Sequence, residues 1–187
     1  MKRDSHAVER ETLLRIFDEA FDRKAWHGPN LRGSIRRVGP EEASWRPKAG
    51  RHCIAEIVVH CAYWKYAVQR RILGTKRGSF PLKGSNWFAL PADLTAAQWQ
   101  DYVALLDDAH QSLRETIATA PWADLCAGGS AGAGRGTPRP AGHIYGIALH
   151  DTYHAGQIRM LKVLYERSRA TETGVTPGNR THGAVSS

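Results

Sequence analysis

Cysteine is scarce in this chain, with three residues in 187, Cys53, Cys61 and Cys126, and no C-x-x-C pair among them. An odd, unpatterned set argues against a disulfide framework and points to a reducing compartment, the cytoplasm. Cys53 and Cys61 fall in one helical pattern, where a rise of ~1.5 Å per residue sets them about 12 Å apart, too far to bridge. Long apolar runs are also missing. No stretch of 18 apolar residues occurs, so no membrane span is expected. Met1-Lys2-Arg3-Asp4-Ser5-His6 leads into an acid-bearing amphipathic segment, which does not read as a signal peptide. No segment sustains a period-two alternation, so half-buried strands are not expected. The glycine-rich run after Cys126 lacks a Gly-Lys-Ser/Thr ending and a preceding strand, which argues against a nucleotide phosphate loop. Acidic residues are outnumbered, 18 against 26 basic, for a net charge of +8. That excess permits attraction to anions. The basic residues, Arg36, Arg37, Lys65, Arg70, Arg71 and Arg159 among them, are scattered over several elements, which reads as solvated faces and argues against a nucleic-acid binder.

What is present is helical periodicity. A first helix is expected from about Ser5 to Trp26, with Leu13, Phe17, Ala20 and Phe21 on one face and Gly28-Pro29 as its stop. Leu31 to Val38 adds a turn or two before Gly39-Pro40 breaks the chain. A second helix should run from about Arg51 to Leu73 and close at Gly74. A third starts at Thr95, with Gln98 completing a capping box, carries Trp99, Val103, Leu106, Leu113 and Ile117 on its stripe, and ends at Pro121. A fourth spans about Gly142 to Arg167. The connection from Thr75 to Leu94 holds Phe80, Trp87, Phe88 and Leu90 and is too aromatic for a solvent loop, so it is expected to be functional or to span the domain. The segment from Cys126 to Pro140 is expected to be a flexible loop, and residues 168–187 a disordered tail. Four such helices give an all-α fold, a four-helix bundle occupying residues 1–167.

Three histidines interrupt the apolar stripes. His150 and His154 are four residues apart, a spacing that projects both imidazoles to one side of a helix about 5 to 6 Å apart. They share their face with Ile147, Ile158 and Leu161. His60 lies in the apolar run Ile54-Ala55-Glu56-Ile57-Val58-Val59-His60 and shares its face with Ile57 and Trp64. An unpartnered buried polar group costs about 1 to 3 kcal/mol, so three imidazoles in a core call for an ion or a water network. Three neutral histidines leave a metal with an open position for water or substrate. A structural role, with each ring satisfied by water or a carbonyl, is the alternative for each histidine taken singly.

Other polar residues invite weaker readings. Asp151 stands where the glutamate of a His-Glu-x-x-His zinc peptidase would be, but it is a methylene shorter, and Gln157 and Met160 occupy the positions of the glycine and third histidine of the extended motif. A peptidase is therefore not expected, and Asp151 is read as facing solvent or orienting an imidazole. Glu56, one turn before His60, is either a fourth ligand, an acid–base group or, more simply, an outward-facing carboxylate. Tyr153 and Gln157 flank His154 and could touch a substrate, while His27, Asn30, Asn86 and Trp87 could wall a pocket mouth. His110 reads as a satisfied histidine at the rim of the third helix. Gly156, in mid-helix at a cost of up to about 1 kcal/mol, suggests a closely packed neighbour.

The segments Ile54-Ala55-Glu56-Ile57-Val58-Val59-His60 and His150-Asp151-Thr152-Tyr153-His154-Ala155-Gly156-Gln157-Ile158 resemble the metal-binding motifs of the DinB-like superfamily, also described as DinB/YfiT-like metalloenzymes. Similarity extends to Trp26-His27-Gly28-Pro29-Asn30-Leu31, Arg71-Ile72-Leu73-Gly74 and Asn86-Trp87-Phe88. The resemblance implies an up-down-down-up four-helix bundle, frequently a homodimer, with a divalent ion, zinc or nickel, held by His60, His150 and His154. It fixes neither a substrate nor catalytic side chains. Some members use low-molecular-weight thiols, as bacillithiol transferases and mycothiol-dependent isomerases do. The functional expectation is a metal-dependent hydrolase or thiol transferase. The alternative is a metal-binding, stress-associated protein without turnover.

Overall fold

The structure is a computed structural model and describes residues 5–78, 80–126 and 140–172. Among them the chain is all-helical, with no strand. Seven helices follow in order: α1 (Ser5–Phe21), α2 (Leu31–Ser34), α3 (Pro40–Ser44), α4 (Ile54–Leu73), α5 (Ala96–Thr119), α6 (Trp122–Cys126) and α7 (Pro140–Glu172). The four long ones are those read from periodicity. The expected loop after Cys126 and the tail beyond Glu172 lie outside the described residues.

Local chemistry explains most of the boundaries. Thr95 caps α5 with its hydroxyl on the Gln98 N–H (3.2 Å), and Gln98 Oε1 returns to the Thr95 N–H (3.0 Å), the expected reciprocal cap. Gly74 ends α4 with φ at 65°, a left-handed conformation that suits a residue without Cβ. Three ends differ from expectation. α1 stops at Phe21, where the Asp22 and Arg23 N–H groups both turn onto the Asp18 carbonyl. The next large apolar residue, Trp26, is fully exposed and packs nothing that would hold another turn. Pro40 begins a short helix where a break was expected, because proline fits the first turn, whose N–H groups have no intrahelical acceptor. α7 runs five residues past Arg167, helped by the Thr171 hydroxyl on the Arg167 carbonyl (3.0 Å) and an Arg169–Glu172 ion pair (3.6 Å).

α4 is the central element. It packs against both α5 and α7, while α1 packs against α7 and α5 in turn. Leu31, Val58, Leu106 and Ile158 bury completely in one apolar cluster, and Phe17, Leu113, Ile117 and Ile144 in a second. A third cluster lies under the long 75–95 connection, where Phe80 and Phe88 meet the Tyr63 ring edgewise at 5.3 and 5.5 Å. Asn86 takes φ of 64° there, a left-handed turn that asparagine tolerates better than most residues. That turn lays the Asn86 carbonyl and the Trp87 ring over α4.

Three polar residues read from sequence as solvated (Lys65), as solvent-facing or holding an imidazole (Asp151) and as a rim histidine (His110) are inside. Lys65 of α4 and Asp151 of α7 are 0% exposed and form an ion pair, and the ammonium sits 5.1 Å from the centroids of Phe17 and Phe21. Burial pushes the Asp151 carboxyl up to about 6, against the pull of Lys65. His110 is buried rather than on the rim, with Phe17 and Phe21 stacked against its ring at 4.4 and 3.7 Å. Burial, with Lys65 and Arg114 adding to it, lowers its pKa to about 2, so it packs as a neutral ring. Gly156 corrects a further expectation, since a Cβ there would meet nothing within 4 Å.

A buried charge left alone is far more damaging than a pair replaced whole. Asp151→Ala is expected to destabilise the protein by about 3 to 5 kcal/mol in guanidinium unfolding, and Lys65→Met with Asp151→Leu to recover most of that loss. A double variant as unstable as the single one would contradict the pairing.

Candidate metal centre

His60 projects from α4, and His150 and His154 from successive turns of α7, into one space. His150 Nε2 lies 3.0 Å from His60 Nε2 and 3.1 Å from His154 Nε2. The three residues form a compact set of metal-ligating groups, His60 and His154 buried and His150 half-buried.

The other ring nitrogens of His60 and His154 settle which tautomer faces inward. His60 Nδ1 lies 2.8 Å from the Asn86 carbonyl, which can only accept, so Nδ1 carries the proton and Nε2 the lone pair. His154 Nδ1 donates in the same way to Gln157 Oε1 (2.6 Å), and the Gln157 amide is held by its own donation to the Tyr153 hydroxyl (2.8 Å). His150 Nδ1 is buried with no hydrogen-bond partner. His150 Nε2 could offer at most one proton to two neighbouring lone pairs. Protonating the rings is opposed: burial, with the neighbouring histidines adding to it, lowers His150 to about 3 and His154 to about 4, and burial lowers His60 as well. A divalent cation satisfies all three nitrogens. An ion ~2.0 to 2.1 Å from each imidazole requires nitrogens roughly 3.0 to 3.4 Å apart, and the two separations from His150 fit, with all three ligand atoms within 4.8 Å of one another.

His150 is also grouped with Cys61 and Asp151 as a second possible ligand set. That set fits a cation poorly. Burial raises the Cys61 thiol well above its ordinary range, which keeps it protonated, and Asp151 is already bound to Lys65.

Around the histidines stands an aromatic and carboxylate frame. Trp87 lies flat between two imidazoles, 3.9 Å from the His60 ring and 3.6 Å from that of His52, with interplanar angles of 9° and 6°. His52 Nδ1 meets Glu56 Oε2 at 3.0 Å. Glu56, read from sequence as outward-facing or a ligand, is neither: it is buried, takes a two-point grip from Arg46 (2.7 and 2.6 Å) and accepts from the Cys53 N–H (3.3 Å). Burial alone would raise its carboxyl, but Arg46 and His52 outweigh that and leave it below the usual range. A cavity of about 480 Å³ opens beside the site, with His154, Gln157, Tyr153, Trp87 and His52 on its wall.

Of the residues named from sequence as pocket candidates, Trp87, Tyr153 and Gln157 line this cavity. Asn86 contributes a carbonyl to His60 and its side-chain oxygen to the Trp64 indole (3.0 Å). Asn30 instead caps α2, and His27 is exposed outside this cavity. Asp151 touches Lys65 rather than solvent. His52 was missed, although its four-residue spacing to Glu56 is a readable helix-entry pattern.

The model of one protein family, described as the DinB superfamily, matches residues 24–158, a span that contains all three histidines. No curated protein and no solved structure matches the chain.

Depressed histidine pKa values make stability pH-dependent. Unfolded histidine titrates near ~6.5, so at lower pH the unfolded chain binds protons that His150 and His154 refuse until about 3 and 4. Stability of metal-stripped protein is therefore complete above ~6.5 and falls as pH drops toward 4, by up to about 1 kcal/mol per pH unit for each histidine. His150→Gln with His154→Gln should flatten that slope in urea titrations between pH 7 and 4. An unchanged slope would contradict the assignment.

Proposed function

The chain belongs to the DinB superfamily, and on that premise we propose that it is a metal-dependent enzyme, a hydrolase or low-molecular-weight-thiol transferase, with zinc or nickel held by His60, His150 and His154. The observation that carries the reading is the meeting of three imidazole Nε2 atoms, two of them fixed as lone-pair donors by Asn86 and Gln157. A divalent ion bound there supplies a Lewis acid that lowers the pKa of a water or thiol in its open position. The protein's own groups prepare that position. The Asn86 carbonyl and Gln157 amide hold two rings in the ligating tautomer, a support of the kind that raises ligand basicity. Trp87 walls the site on the His60 side, and the cavity gives a small molecule access to His154. That access favours turnover over a sealed, non-catalytic ion.

The same reading places the four long helices in an up-down-down-up four-helix bundle, supported by the contacts of α4 with α5 and α7 and of α1 with α7 and α5. On this reading the bundle domain takes in α1 to α7, five residues beyond the expected boundary at Arg167. It includes a homodimer, supported by an exposed apolar stripe on α7: Tyr145, Leu149, Tyr153, Met160 and Leu164. Three free thiols support a cytoplasmic setting. No described helix is long and apolar enough to cross a membrane.

Protein loaded with zinc or nickel is expected to turn over an activated ester or to conjugate a small thiol to an electrophile, to lose this on chelation, and to regain it on adding the ion back. His154→Ala should lie within the chelated background. Loaded protein without metal-dependent turnover in either panel would leave metal binding without catalysis. Sedimentation equilibrium on the same preparation should show a dimer; a monomer throughout would remove that part of the reading.

A further inference from the structure

The turn that leads into α4 places positive charge at the cavity mouth. Lys48 and Arg51 line the cavity beside His154, and no aspartate or glutamate does. Neither Lys48 nor Arg51 pairs with a carboxylate among the described residues. Glu56, the carboxylate at this end of α4, faces away from the role, since Arg46, His52 and the Cys53 N–H occupy it. The turn is also held in place. Arg46 Nη1 donates both to Glu56 and to the Arg51 carbonyl (2.7 Å each), and the Arg51 N–H meets the Lys48 carbonyl at 3.1 Å. Gly50 allows this closure with φ of 75°. Ile57, Trp87, Met160 and Leu161 give the same cavity apolar lining.

We propose that the cavity takes a small organic anion, its carboxylate between Lys48 and Arg51 and its apolar body against Trp87, Met160 and Leu161. Unpaired cations beside an acid-free concave wall concentrate anions, and a charge-assisted contact to a carboxylate is stronger than a neutral one. The remainder of the molecule then points toward His154. The assignment rests on the cavity being the substrate pocket of the proposed enzyme, but the basic turn selects an anion with or without an ion on the histidines.

The test uses three probes of one shape, 3-phenylpropanoate, 3-phenylpropan-1-ol and 3-phenylpropylammonium, titrated by calorimetry into full-length protein, metal-loaded and chelated. Lys48→Ala with Arg51→Ala, both at exposed positions outside the histidine set, is titrated in parallel, and its metal content and circular dichroism should equal those of the wild type. The carboxylate is expected to bind most tightly in both wild-type forms. The double variant should lose about tenfold or more of that affinity while alcohol binding stays within about twofold. Equal binding of carboxylate and alcohol, a carboxylate preference that survives the double substitution, or no saturable carboxylate binding would each overturn the proposal. A carboxylate preference in protein that never takes up metal would remove the metal reading and leave this one standing. Stoichiometric metal with no carboxylate preference would do the reverse.

Discussion

Lone pairs on imidazole nitrogens repel, and two of them turned toward a third imidazole nitrogen about 3 Å from each are best satisfied by one positive charge among them. His150 Nε2 stands 3.0 and 3.1 Å from its two partners, and burial opposes protonation of all three rings. Everything that positions these nitrogens is structural. α4 supplies His60 and, five residues on, Lys65. α7 supplies His150 and, next to it, Asp151. The two helices are thus joined by two polar contacts side by side, one a charge pair sealed in the core, the other the histidine set at the edge of a cavity.

The outer contacts belong to the same design. A left-handed turn at Asn86 delivers a carbonyl to His60 and a tryptophan face to both His60 and His52. Gln157 connects His154 to the Tyr153 hydroxyl. Arg46 fastens the basic turn to Glu56, so one buried carboxylate organises the mouth of the cavity while remaining off its wall. The histidine set, its ring orientations and the basic turn beside the cavity all trace to residues from 46 to 60, 86 to 87 and 150 to 157.

Much of this was legible in the sequence, and the remainder was hidden for identifiable reasons. The four-residue spacing of His150 and His154 and the apolar surroundings of His60 pointed to one site because helical periodicity converts spacing into direction. The Thr95 and Gly74 boundaries followed from cap chemistry alone. Lys65 was assigned to solvent, and Asp151 to solvent or to an imidazole, because charged residues are rarely buried without a partner, and a partner 86 positions away leaves no local trace. Glu56 was misread for the same reason, its guanidinium partner lying in a connection rather than on the helix. The part played by Asn86 is a backbone carbonyl, which no side-chain pattern reveals. Gly156 was taken as a sign of crowding, whereas α7 simply exposes it.

The central claim is that His60, His150 and His154 hold one divalent ion, and metal content by elemental mass spectrometry tests it most directly. Purified wild-type protein, given access to zinc and nickel, is expected to carry about one equivalent of metal per chain. His60→Ala and His154→Ala, each still folded by circular dichroism, should carry almost none. Wild-type protein that stays metal-free after incubation with either ion, or variants that retain a full equivalent, would contradict the account.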